Sequence, residues 1–350
     1  MDIQQLLKLT IERSASDLHV ITGYYPALRV NGELTQLKTL PIVDNELSKQ
    51  MLFSILNSEQ KENLMVNREL DFGYNFESHR FRTNIYFTKG VIAASFRLIP
   101  QKIKSIEELN LPALFRQFID LKQGFILVTG PTGEGKSTTL ASIINEINLK
   151  YPKHILTVED PIEFVYPAAK SIVSQREIGQ DTHTWTISLK AALREDPDVV
   201  LVGEMRDYET IAAALTIAET GHLVFSTVHT NSASQTVNRI IDVFPPHQQN
   251  QIRTQLSSAL KAIVSQRLVP NIENTGRIAA CEILINNQAV GSIIRDGKIH
   301  LIDNVVQTSA NEGMILLEKS LYNLYTEGKI SKETALSYAI RPNEIKKLIV

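Results

Sequence analysis

The stretch Gly130-Pro131-Thr132-Gly133-Glu134-Gly135-Lys136-Ser137 constrains this chain more than any other. It satisfies the phosphate-loop pattern G-x-x-x-x-G-K-[ST]. The apolar run Phe125–Thr129 before it has the length of a buried strand. After it, Leu140, Ile143, Ile144 and Ile147 recur at helical spacing over 137–149. Strand, glycine-rich turn and helix start in that order bring free N–H groups to one cavity, which attracts phosphate. Residues Gly130 to Ser137, with Thr138 behind them, are therefore the expected nucleotide-binding set. Within it, Lys136 reaches the β- and γ-phosphates of ATP, and the Ser137 hydroxyl holds Mg²⁺.

A chain of 350 residues carries about two such domains, and 43% hydrophobic residues suffice for real cores. Basic and acidic side chains nearly balance, 36 against 38, so nucleic acid is an unlikely partner. The one cysteine, Cys281, excludes an internal disulfide and fits a reducing compartment. No uncharged apolar run reaches spanning length, and the first residues lack a basic, then apolar, leader. A cytoplasmic protein without a membrane span is the expectation.

Residues 1–100 read as a small α/β domain. A helix is expected near Ile3–Ile11, strands at 18–21 and 27–30, and capped helices from Asp44 and Ser58. His19, alone in an apolar strand, reads as structural. The runs 80–87 and 91–98 form a hairpin around Thr88-Lys89-Gly90; a two-residue turn sets Arg82 opposite Arg97, and a three-residue turn would move that pairing by one. Like charges facing each other are unfavourable, and a nucleotide triphosphate between them is one remedy. Splaying into solvent, or pairing with Glu69 and Asp71, is the other. Residues 101–120 form a linker with helical content, including a short capped helix over 105–109 and another from Leu111.

From 121 to 350 strands and helices alternate, the pattern of a largely parallel α/β sheet. Strand 154–158 delivers Glu159-Asp160-Pro161-Ile162-Glu163 at its carboxyl end, and strand 198–202 delivers Glu204. Ligands of open α/β sheets bind at those ends. Glu204 stands after a run of apolar residues as a Walker B acid does, though Gly203 takes the usual aspartate position. A carboxylate there can orient or deprotonate the attacking water, or hold Mg²⁺. Strand 223–228 ends at His229, placed to donate to a terminal phosphate, whereas His222 lies at its other end. A helix is expected over 246–266, a strand over 278–285, and helices at 288–295, 314–327 and 331–339.

Taken together, the phosphate loop, Glu159–Glu163, Leu201–Asp207 and Gly221-His222…His229-Thr230 resemble the four boxes of secretion-superfamily hexameric ATPases. Ser16–His19 and Ser95–Arg97 match the N-terminal domain of that family. Within it, the chain resembles the type IV pilus retraction ATPases. The resemblance implies a PAS-like N-terminal domain, a RecA-like core and a ring homohexamer. It further implies nucleotide between the domains, with each N-terminal domain packed on the next subunit's core. It implies Arg82 and Arg97 on the phosphates, Glu163 as catalytic carboxylate and Glu204 as the Walker B acid, with His222 and His229 in the histidine box. Implied partners are an inner-membrane pilus platform protein and, indirectly, pilin, placing the motor at the inner face of the cytoplasmic membrane.

The retraction-type signature of the family, Ala-Ile-Arg-Asn-Leu-Ile-Arg-Glu, stands here as Ala289-Val290-Gly291-Ser292-Ile293-Ile294-Arg295-Asp296. It keeps the second arginine and the acid, and loses the asparagine and the first arginine. Assembly motors carry an extra N-terminal domain and a four-cysteine zinc site, which Cys281 alone cannot supply. Pilus assembly or type II secretion remains the nearest alternative, and a DNA-remodelling RecA-like ATPase a distant one.

Overall fold

The computed structural model describes residues 1–349, and the chain divides into two compact units. The first comprises Met1–Lys102 together with Asp160–Val165 and Glu177–Asp181. The second comprises the remainder, from Ile103 onward. The stretch read as a linker thus divides at Lys102/Ile103, and Phe115, Phe118 and Ile119 are buried. Ser105 and Glu108 form the expected capping pair, each accepting the other's backbone N–H, but the segment closes as a turn and not as a helix.

In the first unit, β1 (Asp17–Val20), β2 (Ala27–Val30), β3 (Glu33–Gln36), β4 (Glu69–Phe76), β5 (His79–Thr88) and β6 (Val91–Leu98) make one sheet. Its order is β3-β2-β1-β6-β5-β4, with every neighbouring pair antiparallel. Helices Ile3–Glu12, Asn45–Phe53 and Ser58–Asn67 bury Leu6, Leu7, Met51, Leu52 and Leu64 in one core with Leu18, Phe72, Phe81, Ile85 and Phe96. Asp2, Asp44 and Asn57 cap them, each accepting a backbone N–H of the first turn. The third cap is therefore Asn57 and not Ser58. Thr88 pairs with Val91 across the two-residue turn, and the register sets Arg82 opposite Arg97, as the hairpin reading expects.

The second unit holds β7 (Gly124–Thr129), β8 (His154–Glu159), β9 (Ile172–Glu177, whose last residue belongs to the first unit), β10 (Val199–Val202), β11 (Leu223–Val228), β12 (Leu260–Pro270) and β13 (Arg277–Ile285). They run in the order β13-β12-β7-β11-β10-β8-β9. β7, β8, β10, β11 and β12 form parallel pairs, and β13 closes the edge antiparallel to β12. Every residue of β7, β10 and β11 is buried, as expected of central strands covered by helices on both faces. This is the α/β arrangement of a RecA-like core. Helices at Gln288–Asp296, Ile302–Thr308, Leu317–Thr326, Lys332–Tyr338 and Pro342–Leu348 follow. Several of them enclose a separate cluster around Val269, Leu317, Leu321, Ile330 and Ile345.

One element departs from its expectation. The helix expected over 246–266 stops at Ala259, and Leu260 turns extended to begin β12. Ile252, Leu256 and Leu260 keep a helical stripe up to that point. Beyond it, Ala262, Ile263, Val264, Ser265 and Gln266 are all buried, and a continuous buried run carries no period to mark strand from helix. Strands β3, β4 and β9 were also not anticipated, since their exposed and polar residues blur the strand pattern. Among the described residues, no helix is long and apolar enough to cross a membrane.

Candidate functional site

The phosphate loop of the second unit joins the carboxyl end of β7 to the helix Lys136–Lys150. Gly135 caps that helix in the left-handed region, at φ 76°, where a residue without Cβ is unstrained. Gly130 is needed for a different reason. A Cβ there would come within 2.5 Å of the Gln266 carbonyl oxygen, so only glycine admits β12 this close. Lys136 is buried, and its ammonium donates to the carbonyls of Gly130 at 2.9 Å and Pro131 at 2.8 Å. Ser137 and Thr138 open the helix, with Thr132 and Gly133 exposed at the tip.

The loop is braced from β12, which the sequence did not reveal as a strand. Gln266 accepts the Thr139 hydroxyl at 2.8 Å and donates to the Glu134 carbonyl at 2.6 Å. Glu134 in turn accepts the Leu268 N–H, and Thr129 shares a hydrogen bond with Ser265 at 2.8 Å. Glu134, expected among the nucleotide contacts, thus has its carboxylate turned to β12. A buried polar side chain inside an otherwise apolar run was the signal for Gln266, once the run is known to be a strand.

Glu204 follows β10, and His229 follows β11, the strand between β10 and β7. The carboxyl ends of these adjacent strands bring Glu204 and His229 together, with His229 Nε2 3.5 Å from Glu204 Oε2. The other oxygen of Glu204 forms an ion pair with Arg206 at 2.6 Å. Gly203 explains the missing aspartate. Its N–H donates to Val158, and a Cβ would meet the Trp185 ring and the Val158 carbonyl at 3.3 Å. His222 is not brought to this end. It sits before Leu223, about 20 Å back along a strand of six residues rising about 3.3 Å each. There its ring contacts the Ile217 carbonyl and Thr220. It stands at the end of β11 where the sequence put it, away from Glu204 and His229.

The first unit carries the other candidates. Arg82 pairs with Asp71 at 2.7 Å and with Glu163 at 3.6 Å. Burial lowers the affinity of its guanidinium for the proton, but Asp71, Glu163 and Asp160 outweigh that and hold the cation. Arg97 pairs with Asp17 at 3.0 Å and is otherwise largely exposed. Burial pushes the Asp17 carboxyl up, while Ser16 and Arg97 pull it down further, to a net value below the ordinary carboxylate. Both arginines facing each other across the hairpin are therefore neutralised by carboxylates, one from each side. The pairing of Arg82 with Asp71 is the alternative that the sequence left open.

Mg²⁺ would find here a hydroxyl at Ser137 and a carboxylate at Glu204, hard oxygen donors of the kind it takes. No group of three or more His, Cys, Asp or Glu side chains that could hold a metal ion occurs among the described residues.

The family model for "Type II/IV secretion system protein" matches residues 2–341. A twitching motility protein of Neisseria gonorrhoeae is 46% identical over 334 residues, covering 95% of this chain and 89% of that protein. The type IV pilus retraction ATPase PilT of Pseudomonas aeruginosa is 42% identical over 343 residues, covering 98% and 99%. A crystal structure of the pilus retraction motor PilT with bound ADP superposes with a TM-score of 0.92 at 43% identity, covering 99% of both chains. A match over nearly the whole length leaves no ambiguity of family: the chain belongs to the type II/IV secretion system proteins.

Proposed function

We propose that this protein is an ATP-hydrolysing motor that drives type IV pilus retraction, and hence twitching motility, as a ring homohexamer. The observation that carries the reading is near-full-length similarity to a retraction motor crystallised with ADP, joined to an intact phosphate loop. Lys136 leaves the loop carbonyls and neutralises the β- and γ-phosphates. Ser137 and Glu204 hold Mg²⁺, which supplies charge neutralisation on the phosphates. Glu163 orients and deprotonates the attacking water, and Arg82 and Arg97 stabilise the charge that develops on the transferred phosphoryl group. His229, 3.5 Å from Glu204, reports the state of the terminal phosphate to β11. The motor acts from the cytoplasm on an inner-membrane platform protein, and pilin subunits leave the filament in consequence. Hydrolysis shifts the N-terminal domain, residues 1–100, of each subunit against the neighbouring subunit's core, residues 121–350, with 101–120 as the connector.

Gene deletion tests the direction of work. Cells lacking the gene should keep their pili and fail to retract them, and Glu204→Gln should not restore retraction although it still binds ATP. Bald cells after a clean, complemented deletion would support an assembly role and end the retraction reading.

A further inference from the structure

Glu177 is the last residue of β9, and it packs within the first unit. Its side chain is 1% exposed, yet it is an acid. Such a group must be paired and hydrogen-bonded to stay ionised. Its partners are all in the first unit. Oε1 accepts the Gly73 N–H of β4 at 2.7 Å, and Oε2 accepts the Ile162 N–H at 3.1 Å and the Arg80 guanidinium of β5 at 2.5 Å. Gln180 donates to the same carboxylate and to the Gly73 carbonyl. One buried carboxylate therefore ties the loop carrying Glu163 to the strand pair carrying Asp71 and Arg82.

Gly73 makes room for this arrangement. It pairs with Arg82 in the β4–β5 register. A Cβ on it would lie 2.1 Å from the Arg80 guanidinium and 2.6 Å from Glu177 Oε2. Its backbone is not in the left-handed region, so the missing side chain serves the ion pair and not the turn of the chain. Glu163 itself is well exposed and meets Arg82 at 3.6 Å.

We infer that Glu177, clamped by Arg80 across Gly73, is a positioning residue that holds the Asp160–Glu163 loop so that Glu163 faces Arg82. This rests on the proposed hydrolytic role of Glu163. Glu177 touches neither nucleotide nor water. It acts on turnover through the place it gives to Glu163.

The test compares Glu177→Gln and Gly73→Ala with wild type and Glu163→Gln in the full-length protein. Gly73→Ala leaves every hydrogen-bonding group in the chain and displaces only the far ends of Arg80 and Glu177. It therefore answers the question even if Glu177→Gln melts early. Three quantities are read: ATP turnover, affinity for a fluorescent ATP analogue, and hydrogen exchange of the peptide covering 160–165. Both variants should lose turnover roughly 10- to 100-fold, as a misplaced catalytic group does. Affinity should stay within about threefold of wild type, because ground-state contacts are untouched. Exchange at Ile162 should accelerate in both. Normal turnover in Gly73→Ala and Glu177→Gln, with Glu163→Gln inactive, would overturn the clamp and leave the role of Glu163 standing. Equal losses of affinity and turnover would also overturn it, marking a general structural defect. Normal turnover in Glu163→Gln would instead remove the hydrolytic reading on which the inference stands.

Discussion

The phosphate loop and the arginine–carboxylate cluster are held by different forces. The loop is built from backbone. Gly130 and Gly135 take conformations or approaches closed to other residues, and β12 braces the turn through Gln266. The cluster is built from side chains. Arg82, Asp71 and Glu163 meet as ion pairs that are each about one-third exposed or more. A backbone cradle is pre-organised and waits for an anion. In the side-chain cluster both arginines are already paired with carboxylates, so an incoming phosphate would have to compete with Asp71 and Asp17 for them. Under the proposed function, binding is the business of the rigid cradle and turnover that of the rearrangeable cluster.

The largest expected effect lies in the cradle. Lys136→Ala should cut nucleotide affinity by at least roughly 100-fold, since a charge-assisted contact of the kind is worth about 1.5–3 kcal/mol and its loss also opens the loop. Calorimetric titration with ATP gives the number, and an affinity equal to wild type would remove the loop from the site. Next comes the cluster. Arg82→Ala should lower turnover roughly 10- to 100-fold while affinity and thermal melting change little. A fall in affinity matching the fall in turnover would erase the distinction between the two regions. Mixed rings of Arg97→Ala and Lys136→Ala subunits sharpen it further. Recovered activity means that the arginine serves a neighbour's nucleotide, and none, with mixing demonstrated, means that it serves its own.

A smaller effect tests the brace. Gln266→Ala removes two buried hydrogen bonds, worth about 1 kcal/mol each, so affinity should weaken roughly 5- to 30-fold with turnover at saturation preserved. The smallest concerns acid. Asp17 binds its proton less readily folded than unfolded, where its value is near 3.8. Its stabilisation is therefore complete above that value and is lost as pH falls through the lower, folded one. The difference in urea stability between wild type and Asp17→Asn should be constant near neutrality and shrink below about pH 3.8. A difference that grows toward acid would contradict the pairing of Asp17 with Arg97.

The arginine pairing was legible because a two-residue turn leaves one register, and Lys89-Gly90 announces it. The carboxyl-end placement of Glu204 and His229 was legible because parallel strands carry their sites at that end. Gln266 was not, because β12 is buried on both faces and its run joins the preceding helix without a break in pattern. Glu177 was not, because an acid at the end of a polar strand looks like a solvated residue until its partners, 15 and about 100 positions away, are known.

By itself the sequence determined what is local: the loop that binds phosphate, the caps that start helices, the hairpin that opposes two arginines. These depend on backbone rules within a few residues, where glycine, proline and side-chain spacing leave few conformations. Only the tertiary structure decided which carboxylates neutralise those arginines, which strand braces the loop, and what holds Glu177. Pairing over long separations is chosen by the packing of whole elements. A charge or an amide buried there is stable only when that packing supplies its partner.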